Sequence, residues 1–232
     1  KNKFDRGFDL LIDIWGSDHH GHVARMKGAM DAIGQSADKL DIILMQFVRL
    51  MRDGQPVRMS KRTGKAIQLG DLLDEVPVDS ARFLFNMREA NSLLDFDLDL
   101  AVQQDSQNPV YYVQYAHARI CSILRALEAE GVTPRDCTAE ELALLTAPEE
   151  LELIQHIASY TDEIIAPQKD YDPVRITRYV IELATKFHKF YNACRVKGEE
   201  ESLMQRVYPL PRHRNGIRNV LTMFNITVPT SM

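Results

Sequence analysis

A chain of 232 residues with 45% apolar and 26% charged side chains is long enough to bury one large core or two modest ones, and its composition is ordinary for a globular protein. A formal net charge of −5 excludes a surface that is basic all round, so a polyanion would have to be met by one local basic face. Cys121, Cys137 and Cys194 are far apart, odd in number and outside any C-x-x-C pair, which argues for reduced thiols and against a disulfide framework or zinc ribbon.

Residues 8–15 are mostly apolar and are stopped by Gly16, the pattern of a short buried strand. Residues 17–22 read as a polar loop. Residues 23–33 read as a helix, with Val23, Met26, Met30 and Ile33 at spacings of three and four and Gly34 as the stop. Strand, Gly-containing loop and helix form half of a doubly wound nucleotide-binding unit. Residues 41–51 suit a second strand, Asp53-Gly54 a hairpin turn, and residues 56–59 the returning edge. A short helix is expected over 71–76. A second is expected over 81–89, capped by Asp79 or Ser80. Residues 94–100 alternate as an extended segment, placing Asp95, Asp97 and Asp99 on one face. Their spacing does not fit a calcium loop, and a solvated edge or partnership with a basic loop suits them better. The composition turns polar over 104–108, where a domain boundary is expected. Pro109 opens a long amphipathic helix over 110–130. A linker over 131–138 follows, then helices over 139–145 and 149–165, a break at 167–173, and a long helix over 174–196. Pro209 and Pro211 close a loop before a last helix over 211–224 and an extended tail. This second part is an all-α bundle. The chain holds no apolar run of about 18 residues that would span a membrane. It has neither a signal peptide's apolar core nor a starting Met, and it reads as a fragment that opens within a fold.

Three constellations carry chemistry. Arg58-Met59-Ser60-Lys61-Arg62-Thr63-Gly64-Lys65 sets four cations in eight residues with no acid between them. Arg58 and Lys61 can offer charge-assisted bonds to phosphate oxygens, Ser60 a further donor, and Gly64 a bend. Loss of one such contact to a developing charge would cost about 2 to 4 kcal/mol of transition-state energy. The bland alternative is a solvated basic loop. Next, Gly16-Ser17-Asp18-His19-His20-Gly21-His22 lies at a strand end. Gly16 permits close backbone approach, Asp18 can accept from ribose hydroxyls, and His19 can stack on a nucleotide. A metal site is the rival, but adjacent His19 and His20 point differently and no fourth ligand is evident, so no bound metal is expected. Last, residues 171–232 hold ten cations against five acids, a net +5 in a chain of −5. Aromatic stacking, edge hydrogen bonds and cations on the backbone are how proteins read unpaired RNA bases. Phe187, Phe190 and Tyr111 sit at helical spacing and suit a core. Tyr115, Arg119, Tyr191, Asn192 and Arg195 remain as RNA contacts.

The basic loop resembles the Lys-Met-Ser-Lys-Ser signature of class I aminoacyl-tRNA synthetases. Arg58 stands for the first Lys and Arg62 for the last Ser, while the second Lys is kept as Lys61. Residues 57–76 and 79–100, with Asn108-Pro109-Val110-Tyr111-Tyr112-Val113-Gln114-Tyr115-Ala116-His117-Ala118-Arg119, are similar to the arginyl-tRNA synthetase family, and the resemblance covers essentially the whole chain. It implies an α/β plus all-α architecture. Residues 1–105 would be the later part of a Rossmann-type class I catalytic domain. Residues 106–232 would be the helical anticodon-binding domain named for its Asp-Ala-Leu-Arg motif. By the same resemblance Lys61, Arg58 and Ser60 act on the pyrophosphate leaving group, and Gly16, Asp18, His19, Met59 and Lys61 bind ATP, which enters with Mg2+. Tyr115, Arg119, Tyr191, Asn192, Arg195 and the C-terminal Met232 contact tRNA. The implied activity is ATP-dependent activation of arginine and its transfer to arginine tRNA, in the cytoplasm, by a monomer with no membrane partner. The family's His-Ile-Gly-His-type signature and N-terminal tRNA-binding domain are not in the sequence, so the chain alone is expected not to activate arginine. A cysteinyl-like class I synthetase and a non-catalytic tRNA-binding module remain as alternatives.

Overall fold

The computed structural model describes residues 1–57, 68–196, 198 and 203–232. It divides into two compact units, one of Lys1–Val57 with Arg88–Phe96, the other of the described residues of Arg58–Met87 with Asp97–Met232.

In the first unit a short helix α1 (Asn2–Asp5) precedes strand β1 (Leu11–Gly16). β1 pairs in parallel with β2 (Leu40–Met45), in a register running from Leu11↔Leu40 to Gly16↔Met45. The connection holds a 3₁₀ segment (Ser17–His22) where a loop was expected, then helix α2 (Val23–Ala32). Of the anticipated apolar face of α2 only Met30 is buried, while Met26 and Ile33 are exposed. β1 is likewise covered on one face only: Leu11, Asp13 and Trp15 are half-buried, whereas Ile12 and Ile14 are exposed.

The single strand expected over 41–51 is two strands. β2 ends at Met45, and β3 (Val48–Arg52) begins a separate sheet of order β4-β3-β5. The Gln46 N–H donates to Ala90 O at 2.7 Å, which takes that residue out of either ladder. Asp53 (φ +51) and Gly54 (φ +68) turn β3 into β4 (Gln55–Pro56), as the Asp-Gly pair requires. β5 (Leu94–Asp97) is shorter than the alternation suggested, because Asp97 accepts from the Asp99 and Leu100 N–H groups and starts helix α5 (Leu98–Val102). The three aspartates therefore do not share one strand face. Asp95 instead takes a two-pronged bond from Arg49, at 2.7 and 2.9 Å.

The second unit opens with α3 (Leu69–Glu75), capped by Gln68 and Asp71, and α4 (Val78–Phe85). α4 starts after Pro77, so neither Asp79 nor Ser80 is its cap, and it ends short of the expected Glu89. After α5, Asn108 caps α6 (Pro109–Ala129), and Pro109 occupies the first turn, where no N–H is needed. A Schellman closure ends α6. Gly131 has φ +78, its N–H bonds Glu128 O at 3.0 Å, and the Val132 N–H bonds Leu127 O at 2.8 Å.

Then come α7 (Ala139–Leu142), α8 (Pro148–Ala158), α9 (Tyr160–Ile165) and α10 (Pro167–Asp170). The helix expected over 149–165 is broken at Ser159, whose hydroxyl donates to His156 O at 2.9 Å. α11 (Val174–Ala193) follows, then α12 (Leu203–Val207) and α13 (Leu210–Met223). Pro209 and Pro211 are not a loop but the cap and first turn of α13. α11 is central and packs against α6, α8 and α13. The core between them includes Val113, Ile120, Leu153, Leu183, Phe187, Phe190, Ile217 and Leu221. Phe187 and Phe190 are thus core residues, as their spacing indicated.

Candidate nucleic-acid interface

In the first unit, parallel pairing brings the carboxyl ends of β1 and β2 together, the edge at which open α/β sheets hold ligands. The Ser17 hydroxyl donates to Gln46 Oε1 at 3.0 Å and ties the two ends. The Asp18 carboxylate folds back over Gly16 so closely that a Cβ built there would lie 2.5 Å from Asp18 Oδ1. A larger residue here would push the Asp18 carboxylate aside, so glycine preserves this contact and is not called for by a left-handed backbone. His19 Nε2 lies 3.8 Å from Asp18 Oδ2, with both side chains more than half exposed. The His19 and His22 rings meet edge-on at 5.9 Å. Gly16, Asp18 and His19 thus form one exposed polar cluster. No group of three or more His, Cys, Asp or Glu among the described residues is placed to hold a metal ion. Arg58, Met59, Ser60 and Lys61 lie outside the described residues.

In the second unit α6 and α11 present a face of aromatic rings around one cation. Arg119 Nη1 donates to the Tyr115 hydroxyl at 2.9 Å. Its guanidinium lies over the Tyr191 ring, 4.6 Å from the centroid. His188 stacks against Tyr115 at 5.9 Å and meets Tyr112 at 5.0 Å. Burial, and then the Arg119 charge, push the His188 pKa down, so the ring is held neutral beside the cation. The spacing of four between Tyr115 and Arg119 puts both on one side of α6, and the packing of α11 supplies Tyr191.

Asn192 is exposed one position further on, and Arg195 is exposed just past the end of α11. The Arg195 carbonyl accepts from Arg206 Nη1 at 3.2 Å. Arg206 Nε in turn meets the Glu150 carboxylate at 2.5 Å, in a pair with side chains 17% and 2% exposed.

Met232 is not in the Arg119 cluster. It lines a cleft of about 430 Å³ with Asp79, Ser80, Gln103, Tyr111 and Gln114. The tail that carries it is strapped along the bundle. Asp79 accepts from the Thr227 N–H at 3.2 Å, and Gln114 donates both to Asp79 and to Thr227 O, at 3.0 and 2.9 Å. His117 Nδ1 bonds Pro229 O at 2.8 Å, and Arg125 bonds Thr230 O at 3.0 Å. His188 and these strap residues were not picked out from the sequence. For His188 the signal was its place three residues before Tyr191 in an aromatic run. For the strap there was none, because its partners are 105 to 148 residues apart.

A cation clasped by tyrosines on a helical bundle offers the stacking faces and hydrogen-bond donors that unpaired bases can use. The chain belongs to the DALR anticodon-binding domain family, whose model matches residues 113–232. Along its whole length it is 54% identical, over 234 aligned positions, to the arginine–tRNA ligase of Ruminiclostridium cellulolyticum, and 53% identical to that of Acetivibrio thermocellus. It spans 42% of the length of each of these relatives. Among solved structures, an arginyl-tRNA synthetase assignment from Campylobacter jejuni is similar with a TM-score of 0.84 at 29% identity, covering 100% of this chain and 50% of that one. Thermus thermophilus arginyl-tRNA synthetase shares the fold, with a TM-score of 0.76 at 20% identity and coverage of 97% and 41%.

Proposed function

We propose that the chain is the part of an arginine–tRNA ligase that carries the phosphate-binding segment of residues 58–61 and the anticodon-binding bundle. The observation that carries this is the 54% identity to such a ligase along the whole chain. In this reading residues 1–105 complete a Rossmann-type catalytic domain and residues 106–232 bind the anticodon. The parallel β1–β2 pair and the glycine at its carboxyl end support the first part. So does the exposed Ile12 and Ile14 face, which suits a further layer of a longer polypeptide, since parallel strands are ordinarily covered on both faces.

In this reading the chemistry is that of the resembled family, adenylate formation followed by transfer. The arginine carboxylate attacks the α-phosphate of ATP and pyrophosphate leaves; a hydroxyl of the terminal ribose of arginine tRNA then attacks the carbonyl of the arginyl-adenylate, forming the ester and releasing AMP. Lys61 and Arg58 meet the charge that grows on the pyrophosphate, and Ser60 donates to a phosphate oxygen. Gly16 lets the nucleotide approach the backbone, Asp18 accepts from the ribose hydroxyls, and His19 and Met59 flank the adenosine. Mg2+ would arrive with the ATP phosphates; the described residues offer no group of three or more His, Cys, Asp or Glu to hold it. Tyr115, Arg119 and Tyr191 stack against or bond bases of the anticodon loop, with Asn192, Arg195 and Met232 at its margins. The reading includes a monomer working in the cytoplasm; no helix among the described residues is long and apolar enough to cross a membrane.

Binding to a panel of tRNA transcripts at two salt concentrations tests the proposal. Preference for arginine tRNA, lost when its anticodon is changed, is the expected result. Equal binding to every tRNA, or preference for a different one, refutes it. ATP–pyrophosphate exchange by the chain alone, with arginine and tRNA present, is expected to be absent.

A further inference from the structure

α13 carries Arg214 and Arg218 one turn apart, the spacing at which like charges repel along a helix. Arg218 is exposed and Arg214 half-buried. Among the described residues neither guanidinium group makes a hydrogen bond or ion pair, whereas Arg175, Arg206 and Arg212 in the same unit each face a carboxylate. The packing of α13 against α6 brings a third arginine to the same side. Arg214 and Arg125 both act on the Cys121 thiol, and Arg214 and Arg218 both act on His117. Among the described residues the charges that shift these two groups are all arginines. The tail crosses this region, with Pro229 O on His117 and Thr230 O on Arg125. It thus supplies carbonyl oxygens but no side-chain acid. The result is a basic patch in a chain whose overall charge is negative, maintained against its own repulsion. It is distinct from the aromatic face of Tyr115, Arg119 and Tyr191.

We propose that Arg125, Arg214 and Arg218 form a second RNA-contacting surface, one that grips the phosphodiester backbone of the bound tRNA and reads no base. Among the described residues no aromatic ring lies under these guanidinium groups and no carboxylate pairs with them. The Arg214 and Arg218 guanidinium groups have no internal side-chain partner and Arg125 holds only a carbonyl oxygen; such groups suit phosphate oxygens and confer position, not sequence. This rests on the reading that the helical unit binds tRNA.

The test uses the whole chain and fluorescence anisotropy with labelled arginine tRNA and a non-cognate tRNA, over roughly 50 to 200 mM salt. The variants are R214Q/R218Q and its charge-keeping counterpart R214K/R218K. Because neither arginine has an internal partner, the circular dichroism melt of both variants is expected to overlay the parent. Each lost phosphate contact lowers the slope of log affinity against log salt by about 0.7 to 0.9. The glutamine double variant is therefore expected to lose about 1.4 to 1.8 in slope, or roughly 25- to 60-fold in affinity near 0.1 M salt. The loss should be equal for both tRNAs, and the lysine pair should restore most of it. An unchanged slope with parental binding intact overturns the patch and leaves the tRNA reading standing. A loss confined to arginine tRNA shows that the patch reads bases, which also overturns it. If the parent chain binds neither tRNA, the tRNA reading itself fails and the patch with it.

Discussion

His213 is fully buried, its ring lies 5.1 Å from Phe187, and neither ring nitrogen has a hydrogen-bond partner. Burial pushes its pKa from the ordinary 6.5 down to about 3, with His156 on α8, His188 on α11 and His117 on α6 adding repulsion. The ring takes up a proton more readily in the unfolded chain than in the folded one. Between pH 6.5 and about 3 the unfolded state therefore binds more protons, and stability is lost as the pH falls through that window. From those two pKa values, moving from pH 7 to pH 5 costs about 2 kcal/mol at this one residue. His213→Leu removes the titration and the unsatisfied nitrogens together. The variant should be more stable than the parent by about 1 to 3 kcal/mol at pH 7, from the relieved desolvation, and its advantage should widen by about 2 kcal/mol at pH 5. Urea unfolding followed by far-ultraviolet circular dichroism is the assay. The one tryptophan, Trp15, belongs to the other unit, so its fluorescence would not report on the helices. If parent and variant lose stability in parallel between pH 7 and pH 5, the imidazole has a partner or accepts its proton at no penalty, and the reasoning is wrong.

Other substitutions probe the remaining contacts. Arg119→Met removes the cation that depresses the His188 pKa, so an NMR titration should show His188 titrating at higher pH. The same change should weaken tRNA binding by about 1 to 3 kcal/mol, the range for losing a stacking partner of a base. An unmoved His188 titration would contradict the arrangement of the two groups. Glu150→Ala leaves Arg206 without its carboxylate in a site where the pair is 17% and 2% exposed. Chemical denaturation should show a loss of about 3 to 5 kcal/mol, and a change below about 1 kcal/mol would place the pair with ordinary surface bridges. Gly16→Ala puts a Cβ 2.5 Å from Asp18 Oδ1, so the carboxylate must swing away. ATP affinity, read by calorimetry, should fall while the melting temperature holds. Undiminished affinity would remove Asp18 from the ribose site.

The long helices of the second unit were legible because each carries its own punctuation. Asn108-Pro109 opens α6, and Gly131 closes it in the left-handed conformation only glycine takes freely. The apolar rows of α6 and α11 were dense enough to fix their faces, and the burial of Phe187 and Phe190 followed. Where reading failed, a non-local or side-chain bond had overruled the periodicity. Residues 94–100 alternate as a strand does, yet the Asp97 carboxylate claims two backbone N–H groups and starts a helix. Residues 41–51 are mostly apolar and read as one strand, but Gln46 bonds Ala90, 44 residues later in the chain. Arg119, Tyr115 and Tyr191 were each visible as candidates. The contact that binds them depends on the α6–α11 packing, which no local pattern specifies.

That packing explains why the aromatic face and the basic patch lie on opposite sides of one helix. The turn of α6 from Tyr115 to Cys121 sends Tyr115 and Arg119 toward α11, while His117 and Cys121 feel the arginines of α13 and His117 bonds the tail. The buried residues between them, Ala116, Ala118 and Ile120, are small or apolar, so α6 is fixed in rotation by its core contacts and not by its polar ones. A change that rotated α6 would move the base-stacking rings and the tail strap together. Substitutions in that buried row, such as Ala116→Leu, should therefore weaken tRNA binding and loosen the tail in the same protein, whereas Asp79→Ala, which removes the acceptor of Thr227 N–H and of the Gln114 amide, should loosen the tail and cost tRNA affinity only through Met232. Carboxypeptidase digestion rates set beside tRNA affinities separate the two cases. If Ala116→Leu speeds digestion while leaving affinity at the parental value, the rings are positioned by α11 and not by α6.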